Sequence, residues 1–152
     1  SIKDFTILPF PVSHDSTECI GFTFYFLDKT FTIATDLGYI NDIAAKQILS
    51  SNYLVIESNY DEKMLENGPY PEILKNRIKS PQGHLCNNYT ADFLAKNWND
   101  NLKYIFLCHL SAENNTPQLA YQTIFNKLKS ENITPHFLAP LDRLTPSELF
   151  IL

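Results

Sequence analysis

Several features that define common protein classes are scarce or missing in this sequence. No apolar run is long enough to span a bilayer, and the opening SIKDFTILPF lacks the basic start, apolar stretch and cleavage site of a signal peptide. Only three cysteines occur, Cys19, Cys86 and Cys108, and none forms a CxxC motif. A disulfide framework is therefore not expected, and we predict reduced thiols, a cytoplasmic location and no membrane association.

An excess of positive charge is also missing. The formal net charge is −5, from 12 lysines and arginines against 17 aspartates and glutamates. A protein that holds nucleic acid mainly through counterion release is usually basic, so that mode of binding is not expected. A bound metal pair would supply local positive charge without changing this count. With 44% hydrophobic residues among 152, the chain is long and apolar enough for one globular domain.

Short apolar runs separated by turn residues and amphipathic stretches predict the order of secondary structure. Strands are predicted over residues 5–10, 20–27, 30–36, 53–56, 104–108, 134–139 and 148–152. Helices are predicted over 40–49 capped by Asn41, 71–79 opened by Pro71, 91–98 capped by Thr90, and 116–130 opened by Thr116-Pro117. Residues 58–71 read as an irregular surface segment. A hairpin followed by strand–helix alternation predicts a layered α/β domain.

Polar residues follow three of the predicted strands. Asp36, Glu57 and His109 stand at strand ends, and His14 and His84 lie in short polar loops. Sites in open α/β sheets gather at the carboxyl ends of strands. Imidazole and carboxylate are common metal ligands, and a carboxylate can bridge two metals that together activate water. Because the sequence has no HxH, HExxH or CxxC motif, these residues alone indicate either a metal site or an acid–base site.

Five ordered motifs carry a family resemblance. They are SHDSTECIGFTFYFLDKTFTIATDLG, VIESN, GPYPEILKNRI, GHLCNN and CHLSAENNTP, and the resemblance extends from about Phe10 to Pro117. The run resembles the C-terminal half of a metallo-β-lactamase-superfamily hydrolase, and in particular the YycJ/WalJ branch related to tRNase Z and PhnP. The resemblance implies that residues 1–152 form a partial domain, the C-terminal αβ half of an αββα sandwich. It also implies hydrolysis of phosphodiester bonds, as in a nuclease or exonuclease acting on DNA or RNA.

The same resemblance implies a role for each polar residue. His14 would complete the ligand set of one divalent metal, Asp36 would bridge two metals, and His109 would be the last ligand of the second. His84 would contact the scissile phosphate and serve the leaving group without binding metal, and Glu57 would orient His84. The metals implied are zinc or manganese.

Other polar residues have plainer interpretations. Asp15 is interpreted as a turn residue, because aspartate hydrogen-bonds its own backbone in such loops. Lys75, Arg77 and Lys79 are interpreted as a solvated helix face, with a phosphate-contacting patch as the alternative. Cys86 stands where the resemblance predicts serine, so an essential thiol is not expected there.

One motif of the superfamily has no counterpart in these 152 residues. The HxHxDH motif, which supplies four ligands and belongs to the N-terminal half, is absent. We therefore expect this chain alone to be metal-poor and inactive, and to self-associate through the sheet face that would meet the other half. Two alternatives stay open. One is hydrolysis of a cyclic nucleotide or another small ester on the same fold, and the other is a non-catalytic binding module.

Overall fold

The computed structural model of the chain describes residues 5–150. One mixed sheet forms its centre, with six strands in the same order as in the sequence. The strands are β1 (Phe5–Pro11), β2 (Ile20–Phe26), β3 (Lys29–Ala34), β4 (Tyr53–Glu57), β5 (Tyr104–Cys108) and β6 (Phe137–Pro140). The helices are α1 (Asp42–Leu49), α2 (Glu62–Asn67), α3 (Glu72–Lys79), α4 (Asn87–Lys96) and α5 (Pro117–Ser130).

The sheet combines an antiparallel meander with a parallel half. β1, β2 and β3 pair antiparallel, whereas β3, β4, β5 and β6 pair parallel. Every parallel connection contains at least one helix, as parallel strands require. This arrangement brings the carboxyl ends of β3, β4 and β5 to one edge of the sheet.

The main core lies between the sheet and its helices. Alternate strand residues such as Leu54, Ile56, Ile105 and Leu107 are fully buried and belong to one cluster with helix side chains, including Ile124. Side chains alternate between the two faces of a strand, so the intervening residues face the opposite side of the sheet. Within residues 5–150, the helices therefore pack against one face of the sheet.

The opposite face, called the open face below, is rich in aromatic and aliphatic side chains. It comprises the half-buried Phe22, Phe24, Phe31, Val55 and Phe137 and the buried Phe106. Neighbouring rings contact each other across strands, with centroids 5.8 Å apart for Phe24 and Phe31. The Phe150 ring packs on this face 4.9 Å from the Phe106 ring. No helix within residues 5–150 is long and apolar enough to cross a membrane.

One helix was not predicted, and the start of another was predicted wrongly. Residues 58–71 are not wholly irregular, because Asp61 caps the six-residue α2 by accepting a hydrogen bond from the Met64 N–H. The helix predicted to begin at residue 91 begins at Asn87, and its cap is Cys86. Thr90 instead lies inside the helix, where its hydroxyl donates to the Glu57 carbonyl oxygen at 2.8 Å. A tertiary hydrogen bond thus replaces the predicted cap.

The C-terminal strands also differ from the prediction. The strand predicted over 134–139 is the shorter β6, and residues 148–150 form no strand. Leu141 nevertheless extends the pairing by one bond, since its N–H donates to the Leu107 carbonyl oxygen at 2.7 Å. The rest of the predicted final strand, residues 151 and 152, lies outside the described residues.

Candidate active site

The ends of three adjacent parallel strands position the predicted site residues. Glu57 is the last residue of β4, His109 follows β5 directly, and Asp36 stands two residues beyond β3. Asp36 and His109 both have left-handed backbone conformations, with φ of 56° and 55°. Such conformations cost a non-glycine residue on the order of 1–3 kcal/mol, and they concentrate at functional sites.

Three imidazoles converge on the Asp36 carboxylate. Its Oδ1 lies 3.6 Å from His14 Nε2, 3.6 Å from His109 Nε2 and 3.9 Å from His84 Nδ1. The centroid of the His84 ring is 4.8 Å from that of His14 and 5.2 Å from that of His109. The structure therefore brings together the four predicted residues His14, Asp36, His84 and His109, although their roles remain predictions.

Glu57 lies beneath this cluster and is fully buried. Its Oε1 accepts hydrogen bonds from His84 Nδ1 at 2.7 Å and His109 Nδ1 at 2.9 Å, and its Oε2 accepts from the Leu37 N–H at 2.6 Å. Burial alone would raise the pKa of this carboxyl, but the hydrogen bonds from His109, His84 and Leu37 lower it below the ordinary value. Glu57 is therefore a carboxylate that orients two histidines, of which only His84 was predicted.

The hydrogen-bond partners assign the imidazole tautomers. A carboxylate or carbonyl oxygen only accepts, so His109 donates its Nδ1 proton to Glu57, and His14 donates its Nδ1 proton to the Gly83 carbonyl oxygen at 2.9 Å. When each imidazole is neutral, its Nε2 is therefore unprotonated and faces Asp36. Metal-binding histidines have this arrangement, with the second ring nitrogen bonded to a carboxylate or carbonyl.

The distances at Asp36 fit a divalent metal. Two ligand bonds of about 2.0–2.2 Å that meet near the tetrahedral angle place their donor atoms roughly 3.3–3.6 Å apart. Both observed distances from Asp36 Oδ1 to the Nε2 atoms of His14 and His109 are 3.6 Å. The three residues therefore suit a ligand set that shares one carboxylate. Glu57 and the Nδ1 of His84 are already paired with each other, which makes them a hydrogen-bond network rather than ligands.

The hydrogen-bond partner of His109 also affects its pKa. The hydrogen bond to Glu57 raises the pKa of His109 above its ordinary value, and this effect outweighs the opposing burial. The Arg143 guanidinium opposes it more weakly. A metal at Nε2 would have to compete with a proton there, so metal affinity should fall as the pH falls.

Two expectations about the surrounding charges are wrong. Asp15 is more than a turn residue, because its carboxylate accepts two hydrogen bonds from Arg77 of α3. Arg77 Nε donates to Oδ2, and Nη2 donates to Oδ1 at 2.9 Å. This pair lowers the pKa of Asp15 and ties the loop that carries His14 to α3. Lys75 does not lie on a solvated face. It is buried, and its Nζ donates to the Glu66 carbonyl oxygen at 2.7 Å.

A buried amide network supports the strand ends. Asn87 and Asn115 are hydrogen-bonded to each other, Asn87 accepts from the Ser58 hydroxyl at 2.6 Å, and Asn115 donates to the Ser58 carbonyl oxygen at 2.8 Å. These bonds join the start of α4 to the segments that follow β4 and β5. The sequence interpretation did not single out Asn87, and it treated Asn115 as a turn former first and as a site-shaping donor second.

The histidine cluster opens into a cleft of about 830 Å³. Besides His84 and His109, the cleft is lined by Asn59, Ser111 and the two arginines Arg77 and Arg143. The sequence interpretation did not single out Arg143. The rarity of arginine could have pointed to this residue, because the chain has only one other arginine.

Sequence comparison identifies relatives that are longer than this chain. No family model matches. The chain is 37% identical over 128 residues to the exodeoxyribonuclease YycJ of Bacillus anthracis, covering 84% of this chain and 48% of that protein. It is 37% identical over 130 residues to the exodeoxyribonuclease WalJ of Streptococcus pneumoniae serotype 2, covering 86% and 48%. The chain therefore spans about half the length of the curated relatives it matches.

Solved structures show a similar coverage. The metallo-β-lactamase fold protein YhfI from Bacillus subtilis superposes with a TM-score of 0.63 at 12% identity, over 91% of this chain and 47% of YhfI. The Zn²⁺-bound PqqB of Methylobacterium extorquens superposes with a TM-score of 0.57 at 11% identity, over 91% and 46%. Identities this low establish the fold alone.

The mixed sheet and its helices thus define about half of a metallo-β-lactamase fold, which confirms the predicted α/β fold class. Within this fold the chain is homologous to the YycJ and WalJ proteins over about half of their length, as the sequence motifs predicted.

Proposed function

We propose that the chain carries part of the active site of a metal-dependent phosphodiester hydrolase that acts as an exonuclease on DNA. The observation that carries the proposal is the convergence of His14, His84 and His109 on one Asp36 oxygen, in a chain homologous to named exodeoxyribonucleases. The relatives' names favour DNA over RNA, a cyclic nucleotide or another small ester. They also favour an enzyme over a binding module.

His14, Asp36 and His109 are the proposed metal ligands. Bound there, a pair of divalent metals such as zinc or manganese would polarise the phosphate and activate water. The four further ligands that the resemblance implies, in an HxHxDH motif, do not occur in these 152 residues. The proposal therefore treats residues 1–152 as a partial domain and assigns the remaining ligands to another segment.

His84 is the proposed proton donor to the leaving oxygen. Glu57 fixes the ring through Nδ1, and His84 also lines the cleft, which leaves Nε2 to hold the proton. With Nδ1 held by Glu57, a proton on Nε2 would offset negative charge that develops on the leaving oxygen.

The location proposed is cytoplasmic, which the three free cysteines support.

A chimera tests this proposal. The part of Bacillus anthracis YycJ that this chain does not match would be joined to residues 1–152, and the product incubated with end-labelled DNA and Mn²⁺. We expect stepwise release of nucleotides that a chelator abolishes. A folded chimera that binds two metals yet releases nothing from single-stranded or duplex DNA would contradict the proposal.

A further inference from the structure

The loop that carries His14 depends on neighbouring segments for its position. This loop, residues 12–19, joins β1 to β2 and contains no helix or strand. The Val12 N–H donates to the Cys19 carbonyl oxygen at 3.1 Å, which closes the base of the loop. Residues 15–18 are exposed, so the core does not hold the tip.

Hydrogen bonds join this loop to the turn over residues 80–83, directly after α3. The Ser13 hydroxyl donates to the Pro81 carbonyl oxygen at 3.0 Å. His14 Nδ1 donates to the Gly83 carbonyl oxygen at 2.9 Å, and this bond leaves Nε2 facing Asp36. The orientation of the His14 ring therefore depends on how the loop lies against this turn.

Arg77 and Asp15 form a charged contact between the same two segments. Arg77 donates from Nε to one carboxylate oxygen of Asp15 and from Nη2 to the other at 2.9 Å. A guanidinium and a carboxylate joined by two hydrogen bonds have a defined mutual orientation, which a lysine ammonium would not impose. Arg77 belongs to the helix that leads into Gly83, so the pair fixes the loop relative to the acceptor of the His14 ring.

Asp15 lies close to the metal-facing nitrogen of His14 but is bound elsewhere. Its Oδ1 is 3.5 Å from His14 Nε2, and Asp36 Oδ1 is 3.6 Å from the same atom. Both oxygens of Asp15 accept hydrogen bonds from Arg77, whereas the ion-pair partners of Asp36 among residues 5–150 are imidazoles. Asp15 is therefore placed to hold the loop rather than to bind the ion.

We propose that Arg77 and Asp15 are positioning residues for the metal ligand His14. The pair holds the loop where Nδ1 meets the Gly83 carbonyl oxygen and Nε2 faces the metal. Groups that orient a metal-binding histidine from outside the ligand set typically change metal affinity by roughly 10- to 100-fold. The inference rests on the proposed function, because it takes His14 as a ligand, and it names two further residues on which that ligand depends.

The first test needs neither metal nor catalysis. In the metal-free 152-residue chain, under mildly alkaline conditions where imidazole is neutral, NMR of the ring nitrogens should show His14 as a single tautomer protonated at Nδ1. Arg77→Ala should give mixed tautomers at His14 and faster exchange of its ring proton with water. The His109 ring, held by Glu57, is the internal control and should keep its signal. Mixed tautomers at His14 in the unaltered chain, or an unchanged His14 signal in Arg77→Ala, would overturn the inference.

Zinc affinity, measured by competition with a chromogenic chelator in the chain and in the chimera, is the second readout. Arg77→Ala and Asp15→Ala should each weaken zinc binding by roughly 10- to 100-fold. The double variant should bind no more weakly than either single variant, because the two residues act as one unit. Lys79→Ala is the matched control, since it removes the same charge from an exposed position of the same helix, and it should bind zinc as the unaltered protein does.

The outcomes separate this inference from the proposed function. Tighter zinc binding by Arg77→Ala, or a much larger loss in Asp15→Ala than in Arg77→Ala, would make Asp15 a ligand and overturn the positioning role. DNA hydrolysis by a chimera whose Arg77→Ala variant keeps full zinc affinity would overturn it while leaving the proposed function intact. Weakened zinc binding and mixed His14 tautomers in Arg77→Ala, with a chimera that never cleaves DNA, would support the inference and overturn the hydrolase. A folded chimera that binds no zinc would overturn both.

Discussion

At the scale of single residues, Glu57 holds three parts of the site in place. Its carboxylate orients His84 and His109 and also receives the Leu37 N–H, so one buried group fixes two side chains and the turn after β3. Removing an oxygen acceptor here leaves a buried donor without a partner. The stability of the fold and the geometry of the site therefore depend on the same carboxylate.

Glu57→Gln should destabilise the chain by about 1–3 kcal/mol. The amide nitrogen that replaces one carboxylate oxygen cannot accept, so at least one of the three buried donors loses its partner. The pKa of Glu57 lies below its ordinary 4.5 in the folded chain. Its contribution to stability is therefore present above pH 4.5 and is lost as the pH falls through the folded-state pKa. Urea unfolding at pH 7 and at lower pH measures both effects. The exposed Glu148→Gln is the control, and an equal acid sensitivity of Glu57→Gln and the unaltered chain would contradict this role.

His84 and Asp36 should separate by role in the metal-loaded chimera. His84→Ala is expected to lower turnover by roughly 10²- to 10⁴-fold while leaving the metal content near normal, since a general acid is lost and a ligand is not. Asp36→Ala should lower both. Elemental analysis beside the nuclease assay distinguishes them, and an equal loss of metal in the two variants would show that His84 is a ligand.

At the scale of elements, three loops are bound to one another around His14. The Gly38 N–H donates to the Ser13 carbonyl oxygen at 2.7 Å, and the Asp15 N–H donates to that of Gln82 at 3.0 Å. A side chain at Gly38 would collide with the carbonyl of Pro81. The turn after Asp36 therefore needs glycine for close approach, and this approach sets the distance between His14 and Asp36.

The start of α4 offers a test of the cysteine that follows His84. Cys86 Sγ accepts from the Tyr89 N–H at 3.3 Å, and burial raises the pKa of this thiol above its ordinary value. Cys86 is thus a helix cap rather than a nucleophile. Cys86→Ser should keep the stability of the chain and the activity of the chimera, whereas Cys86→Ala should be about 0.5–2 kcal/mol less stable than Cys86→Ser. Thermal unfolding measures the difference, and loss of activity in Cys86→Ser would refute the capping role.

At the scale of the whole molecule, β1 to β5 were the easiest elements to predict. β4 and β5 are continuous apolar runs, and their ends identified Glu57 and His109. The short α2 was missed because it buries a single side chain, Leu65, and shows no periodicity. The Asp15–Arg77 pair and the position of Arg143 depend on how distant loops meet. No spacing in one sequence encodes such a meeting.

The open face predicts how the isolated chain behaves in solution. Its half-buried rings form a contiguous apolar surface, so we expect the 152-residue chain to self-associate as its concentration rises. Light scattering after size-exclusion chromatography would show this, and Phe24→Glu should shift the chain toward monomer. Ile73→Glu, at a helix position that is 87% exposed, is the control. A chain that stays monomeric at all concentrations would contradict the prediction.

Metal binding by the 152-residue chain tests the central claim most directly. We predict at most one weakly bound zinc or manganese ion per chain, lost in Asp36→Ala and in His109→Ala, and no turnover of a chromogenic phosphodiester. Three protein ligands can hold one ion, but this chain lacks the HxHxDH ligands that the bridged pair would need. Two tightly bound metals per chain, measurable turnover, or metal binding that Asp36→Ala leaves unchanged would contradict the account.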